Sequence, residues 1–167
     1  MPMPVPVPMP VPMPALRAMT EPEFTAWAAA EVPAYAADKV ASGQWAADVS
    51  LALSQKEQDQ LLPQGLQSVD NHLFNIVDAG GTVVGMLWFA EQTRFNARIA
   101  YVFDIDVWPA YQRQGHGTRA FQALEVEVQR LGLTGIALHV FGHNTGAQAL
   151  YAKLGFRPTN ISLFKAV

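Results

Sequence analysis

The chain has 167 residues, half of them hydrophobic, with a net charge of −3 at pH 7 and no cysteine. This size fits one domain with a substantial core, and the lack of cysteine excludes disulfides, thiolate metal sites and a cysteine nucleophile. The acidic balance argues against nucleic acid as a partner, because phosphate binding needs clustered Lys and Arg, and it suits a cationic substrate. The sequence has neither a signal-peptide pattern nor an apolar run of ~20 residues, so we expect a cytoplasmic protein without a membrane partner.

The first fourteen residues, MPMPVPVPMPVPMP, have proline at every even position. Prolines two apart do not give the P-x-x-P spacing of peptides that dock in aromatic grooves. They remove the N–H donors from one edge of a strand and leave the other edge able to pair, so residues 10–18 are predicted to form an edge strand. Residues 1–9 are predicted to be an extended arm, which stays loose, lengthens that edge or contacts another subunit, and residues 10–167 a single domain.

Helices are predicted next. Thr20 and Glu23 in TEPEF form a capping box that starts a helix, and Pro33 breaks or kinks it. A second helical stretch, AYAADKVASG, ends at Gly43 as a C-cap. A further helix is predicted through ADVSLALSQKEQDQLL, ending at Pro63.

The period then changes to that of strands. Three segments rich in β-branched and aromatic residues predict an antiparallel meander: HLFNIVD, GTVVGMLWFAE and ARIAYVFDIDV. They are followed by the helix GTRAFQALEVEVQRLG, the short strand IALHVF, a helix capped by Asn144 and ended by Gly155, and a last strand, ISLFKAV. This order predicts an α/β fold with a mixed sheet and helices on both faces.

The stretch DIDVWPAYQRQGHGTRAF carries a turn suited to a phosphate group. Gly115 and Gly117 stand where the third strand of the meander gives way to a helix. Such glycines let the backbone approach a ligand while the first N–H groups of the helix face it, as a pyrophosphate requires. The turn is neither a Walker A loop nor a full G-x-G-x-x-G motif, and on its own it is more often structural.

Two sequence blocks make the chain resemble the GNAT family of acyl-CoA N-acyltransferases. QRQGHG matches the family's Q/R-x-x-G-x-G/A signature, and LHVFGHNTGAQALYAKLGF is similar to its second conserved block. YAADKVASGQW and LLPQGL resemble an uncharacterised bacterial branch of the family, which extends the similarity to residues 20–167. Gln112 replaces the commoner Arg, and His116 stands where an aliphatic or aromatic residue is usual, but neither change removes a backbone amide.

The resemblance implies an acetyl-CoA-dependent N-acetyltransferase with the GNAT fold. Its central sheet is mostly antiparallel, and the fourth and fifth strands splay apart to admit the pantetheine arm. The resemblance implies these cofactor-binding residues: Ile105, Val107, Gln112, Arg113, Gln114, Gly115, His116, Gly117, Thr118, Asn144, Ala147 and Tyr151. The amides of residues 112–118 would hold the pyrophosphate, and the Val107 backbone would bind the pantetheine. Tyr151 matches the tyrosine that often protonates the departing thiolate, although it could equally be a core residue.

An amine acceptor needs a group that takes its proton. An alkyl ammonium with a pKa of ~10.4 is neutral in only about one molecule in 10³ at pH 7. Asp104 and Asp106 alternate onto one face of their strand, where family members often place a general base, and we favour Asp104. The pair could also be the solvated face of the strand, and His72 and Glu91 are alternative bases. A free aspartate has a pKa of ~3.9, so either burial raises it or a water chain relays the proton.

Three functions therefore stay open. The first is acetyl transfer to a primary amine by direct attack on the thioester. The second is a catalytically silent acyl-CoA-binding sensor or interaction module, and the third is peptide docking through the Met/Val/Pro arm. The sequence does not distinguish polyamine, aminoglycoside, amino acid, peptide N-terminus and lysine side chain as the acceptor. No histidine pair has metal-ligand spacing, so no metal is predicted, and a shared strand edge would suit a homodimer.

Overall fold

The computed structural model describes residues 15–167. Its helices and strands are β1 (Leu16–Ala18), α1 (Glu21–Ala41), α2 (Ala47–Leu61), β2 (Asn71–Val77), β3 (Val83–Arg94), β4 (Ala97–Val107), α3 (His116–Arg130), β5 (Ile136–Leu138) and α4 (Thr145–Lys153). The strands form one sheet in the order β1-β2-β3-β4-β5, antiparallel except for the parallel pair β4–β5. The predicted α/β fold with a mixed sheet is confirmed.

β1 is an edge strand, as the proline pattern predicts. Leu16 pairs with Ile76 and Ala18 with Phe74, antiparallel to β2. The predicted arm, residues 1–9, and residues 10–14 of the predicted strand lie outside the described residues. The prediction is therefore confirmed for the last part of the strand only.

α1 begins at the predicted capping box and is one continuous helix. The Thr20 N–H donates to Glu23 Oε2 at 2.9 Å, and Arg17 Nη2 donates to Glu23 Oε1 at 2.8 Å. The predicted break at Pro33 is wrong, because the helix runs through that residue to Ala41. A proline removes one backbone hydrogen bond from a helix but keeps a helical φ. Packing on α2 holds the helix here, since the Ser54 hydroxyl donates to the Val32 carbonyl at 2.7 Å.

Two hydrophobic cores lie on opposite faces of the sheet. On one face, Phe121 and Leu124 of α3 pack against Leu87 and Phe89 of β3. On the other face, Trp27 of α1 belongs to a cluster with Leu73, Met86 and Trp88. Each face of the sheet therefore packs against a different helix, and successive residues of β4 point to alternate faces.

The predicted last strand, ISLFKAV, is wrong. Residues 156–167 contain no helix or strand, and Leu163 and Phe164 are 91% and 94% exposed. β5 is also shorter than predicted and ends at Leu138. A strand needs a neighbouring edge that supplies hydrogen bonds, and an apolar pattern in the sequence does not say whether its own chain offers that edge.

Candidate active site

β4 and β5 diverge after a short paired segment. Their pairing covers Ala100–Val102 against Ile136–Leu138, and β4 alone continues to Val107. Just beyond the pairing, the register with β3 shifts between Trp88–Asp104 and Phe89–Val102, which is a bulge that bends β4. The predicted splay between the fourth and fifth strands is confirmed.

A cavity of about 610 Å³ fills this gap and is named the splay cavity. Its lining comes from β4, β5, α1, α2, α4 and the loop before α4. The predicted site residues that line it are Asp104, Ile105, Asp106, Asn144 and Tyr151. The structure thus brings the end of β4 together with Asn144 and Tyr151, which belong to the second of the two blocks that carried the family resemblance.

A second cavity, of about 480 Å³, lies between α1 and the sheet and is named the α1 cavity. It is lined by Met19, Glu23, Ala26, Trp27, Ala30, Glu31, Ala34, Asn75, Val83, Met86, Asp104, Asp106 and Trp108. Three carboxylic acids line both cavities, and we call them the acidic wall: Glu31, Asp104 and Asp106. A ligand in the α1 cavity and one in the splay cavity would meet at this wall.

The acidic wall holds its carboxyl groups in unlike protonation states. Burial, followed by the charge of Asp106, raises the pKa of Asp104 to about 6. Burial, followed by the charge of Asp104 and a hydrogen bond to it, raises the pKa of Glu31 to about 8. Partial burial also raises the pKa of Asp106, whose side chain still reaches solvent at the wall. At neutral pH, Asp104 is therefore mostly ionised beside a mostly protonated Glu31.

Tyr151 has a half-buried ring and lines the splay cavity. Its ring packs edge-on against Phe121 and Phe156, with centroids 5.7 Å away in each case. Burial, and then the charge of Asp104, raise the pKa of the hydroxyl. The hydroxyl is therefore protonated at neutral pH and near Asp104, so a core position for the ring and a proton-donor role for the hydroxyl are compatible.

The turn before α3 presents free backbone donors. Arg113 and Gly115 have positive φ values, 64° and 83°, and α3 begins directly after Gly115. Within the described chain, the N–H groups of residues 113–115 have no acceptor, and those of the first helical turn have none within the helix. A Cβ at Gly117 would meet only Leu150 Cδ2, at 3.4 Å. At Gly117 the chain therefore leaves room for a ligand, whereas at Gly115 a Cβ would lie 2.9 Å from Arg119 Nη1. Free backbone donors beside an arginine suit a pyrophosphate.

The two departures from the family signature support the backbone of this turn. Gln112 Nε2 donates to the Val107 carbonyl at 2.9 Å. Arg119 Nη2 donates to the Gln114 carbonyl at 3.0 Å and interacts with Nδ1 of the buried His116 at 2.8 Å. The Val107 carbonyl keeps one lone pair for a ligand, because the Gln112 side chain takes the other.

Several candidate residues lie elsewhere. His72 pairs with Glu91 at 2.8 Å and stacks on Phe89, which belongs to the α3 side of the sheet. Neither alternative base lines the splay cavity or the α1 cavity. Ala147 does not line either cavity. Its N–H donates to Asn144 Oδ1 at 3.1 Å as part of the predicted cap of α4.

The sequence analysis missed Glu31. It lies one helical turn after Trp27, on the side of α1 that faces the sheet. A carboxylic acid at helical spacing from a buried tryptophan is the signal that could have identified it, because charged residues normally occupy the solvent face.

Comparisons with known proteins agree with the fold. The profile of the acetyltransferase (GNAT) family matches residues 35–156. The uncharacterised N-acetyltransferase YdgE of Bacillus subtilis (strain 168) is 31% identical over 150 residues, which cover 90% of this chain and 96% of YdgE. The crystal structure of B. subtilis YycN gives a TM-score of 0.86 at 29% identity, covering 91% of this chain and 97% of YycN. AAC(6')-Iy, in complex with a bisubstrate analogue of coenzyme A and acetylneamine, shares the fold at 17% identity, with a TM-score of 0.61 and coverage of 91% and 96%.

Proposed function

Since the chain belongs to the acetyltransferase (GNAT) family, whose members use acetyl-CoA, we propose that it transfers the acetyl group to a primary amine by direct attack on the thioester. The observation that carries this proposal is Asp104. Its carboxylate stands in the wall shared by both cavities, and burial raises its pKa towards neutral. The reaction forms no covalent bond to the enzyme.

The splay cavity and the turn before α3 are proposed to hold acetyl-CoA. The free N–H groups of residues 113–118 suit the pyrophosphate, and the gap between β4 and β5 suits the pantetheine arm. Bound acetyl-CoA supplies the activated acetyl group. Gln112 keeps the end of β4 fixed beside it through the bond to the Val107 carbonyl.

Asp104 is proposed to take the ammonium proton. The amine nitrogen then bonds to the acetyl carbon, the carbon–sulfur bond breaks, and the sulfur leaves as a thiolate. The nitrogen loses its second proton as the amide forms, which balances the proton that the thiolate takes up. A pKa raised from 3.8 to about 6 makes the proton transfer to Asp104 less unfavourable by about 3 kcal/mol, at about 1.4 kcal/mol per unit. The burial that removes solvent from Asp104 therefore makes this residue a better general base.

Tyr151 is proposed to protonate the thiolate. The negative charge of Asp104 raises the pKa of this hydroxyl and so opposes the transfer in the free enzyme. Once Asp104 has accepted the ammonium proton, that charge is gone and the hydroxyl becomes a stronger acid. The two proton transfers are thus ordered, with the base acting before the acid.

A thermal-shift titration tests the binding half of the proposal. Acetyl-CoA and coenzyme A at 100 times the dissociation constant should each stabilise the protein by about 2.7 kcal/mol, with NADH as the control ligand. Gly117→Glu should remove the shift, because the new carboxylate occupies the room above the turn and repels the pyrophosphate. Gly117→Ala should keep most of it, since a Cβ there makes only an ordinary contact.

The same protein with a panel of amines tests the transfer half. Release of coenzyme A with at least one amine supports the proposal. Stabilisation by both coenzyme A species without acetylation of any amine would favour the catalytically silent acyl-CoA-binding module. A lack of stabilisation by either would contradict both readings.

The assembly proposal is a cytoplasmic homodimer of a single domain, residues 10–167, preceded by an arm, residues 1–9. Exposed Ile161, Leu163 and Phe164 support a second copy, because within residues 15–167 no strand covers the outer edge of β5. Between residues 15 and 167, every helix is too short or too polar to cross a bilayer. Sedimentation of the full chain tests the dimer, and a monomer mass would contradict it. A chain ending at residue 158 tests the contact surface, and a dimer of that chain would show that Ile161, Leu163 and Phe164 do not form it.

A further inference from the structure

The α1 cavity is lined by acids without a balancing base. Among the described residues that line it, none is Lys, Arg or His. Glu23 is paired with Arg17, so the acids of this lining that remain without a basic partner are those of the acidic wall. Within residues 15–167, no three His, Asp or Glu side chains are grouped closely enough to share a metal ion, so the wall is not built for one. An organic cation is the ligand that this lining favours.

The shape of the cavity suits a small molecule. Ala26, Ala30 and Ala34 follow one side of α1 and leave open space above the sheet. Trp27 and Trp108 line the same space and offer aromatic surface to a cation. The volume of about 480 Å³ is that of a small-molecule site.

Two buried donors give independent evidence for a ligand. Trp27 Nε1 and Asn75 Nδ2 are buried without a hydrogen-bond partner, and both residues line the α1 cavity. The Trp27 N–H partly offsets the effect of burial by lowering the pKa of Asp104, but the two groups are not within hydrogen-bond geometry. Unpartnered buried donors are costly, so they indicate an acceptor atom that arrives with the ligand. An ammonium group only donates, so the acceptor is another atom of the same molecule, and an uncharged oxygen suits a cavity lined by acids.

We propose that the α1 cavity binds the acetyl acceptor, and that this acceptor is a small di- or polyamine carrying a hydroxyl or other uncharged oxygen rather than an amino acid. One ammonium group lies at Asp104, where it meets the thioester, and a second lies at Glu31. A carboxylate on the acceptor is rejected because the cavity lining gives it no cation and three acids. The inference rests on the proposed amine acetylation and narrows its substrate.

Binding of a second ammonium group should ionise Glu31, so the complex should release a proton. The charged and titratable groups around Glu31 are Asp104, Asp106 and Tyr101 of β4, Asp38, Lys39 and Tyr35 of α1, Glu57 of α2 and Tyr151 of α4. Calorimetry at pH 7 in two buffers with different ionisation enthalpies measures the protons released per diamine bound. We expect about one from the wild type and none from Glu31→Gln.

A ladder of amines built on 1,3-diaminopropane tests the substrate class. Beside this diamine it contains propylamine, 1,3-diamino-2-propanol and 2,4-diaminobutyrate, each of which differs from the diamine by one group. With kcat/KM as the readout, the diamine should exceed the monoamine and the diaminobutyrate by ~10-fold or more. The hydroxyl should add a further ~3-fold, as one neutral hydrogen bond does.

Three variants test whether Glu31 and Trp27 cause these differences in kcat/KM. Glu31→Gln should reduce the advantage of the diamine over propylamine to under ~3-fold. Glu125→Gln, which removes an exposed carboxylate on α3, should leave the whole ladder unchanged. Trp27→Phe should remove the gain from the hydroxyl and keep the preference for the diamine.

The outcomes separate this inference from the proposed function. If the enzyme acetylates monoamine, diamine and diaminobutyrate equally well, amine acetylation stands and the inference is overturned. If only peptide or amino acid amines react, the inference is overturned as well. If no amine reacts while acetyl-CoA still stabilises the protein, the proposed function itself fails.

Discussion

The turn before α3 and the acidic wall both serve the candidate site, but they are built in different ways. The turn consists of consecutive residues, 112–118, whose glycines and helix start are visible in the sequence. The wall joins Glu31 of α1 to Asp104 and Asp106 of β4, segments that are far apart in the chain. In the proposed function, the turn offers backbone donors to a phosphate that many enzymes bind, whereas the wall is proposed to offer side chains to the acceptor. The comparison predicts that changes in the wall affect turnover and leave acetyl-CoA binding intact.

Asp104→Asn is expected to have the largest effect. Loss of the general base should lower kcat by about 10³-fold at pH 7, which lies within the usual range for such groups. The thermal shift with acetyl-CoA should stay within about 1 °C of the wild type, because the turn is untouched. Steady-state kinetics with the best amine measure the loss in kcat, and the thermal-shift titration measures acetyl-CoA binding.

Asp106→Asn is the matched control for this change. It removes the same charge two residues along β4, but from a more exposed side chain. We expect a loss in kcat of under ~10-fold. If the Asp106 variant lost as much activity as the Asp104 variant, the choice of Asp104 as the base would be wrong.

The same contrast explains how far the sequence could predict the molecule. The capping box at Thr20, the turn at Gly115 and the cap at Asn144 depend on neighbours within a few residues, and all three are present. Glu31 and the missing last strand depend on partners elsewhere. The pKa of Glu31 is set first by burial and then by Asp104, and the segment ISLFKAV becomes a strand only if some edge accepts it. Local hydrogen-bond rules read from the sequence do not contain that information.

Glu31→Gln should change how stability depends on pH. In the folded protein, burial and Asp104 raise the pKa of Glu31 from 4.5 to about 8. Between these values the folded state binds more protons than the unfolded state, so the free energy of unfolding falls as pH rises from about 4.5 through 8. The Gln variant lacks this penalty and should be more stable than the wild type by about 4 kcal/mol at pH 9, relative to their difference at pH 5. Urea denaturation at the two pH values measures the change.

The control for this effect is Glu125→Gln, which should differ from the wild type equally at both pH values. A stability difference for Glu31→Gln that stayed constant from pH 5 to pH 9 would mean that Glu31 is ionised in the folded state throughout. The wall would then hold three negative charges at neutral pH, and binding of a diamine would release no proton.

Tyr151→Phe should give the smallest effect, and it separates the two readings of this residue. The phenylalanine ring keeps the packing against Phe121 and Phe156, so the free energy of unfolding should change by less than about 1 kcal/mol. We expect kcat to fall by about 10-fold, because a thiolate with a pKa of ~8.5 can also take its proton from water. Tyr101→Phe, the same change elsewhere in the splay cavity, should cost under ~2-fold. A variant of Tyr151 with full activity and lower stability would make the residue a core residue only, and the departing thiolate would then be protonated by solvent.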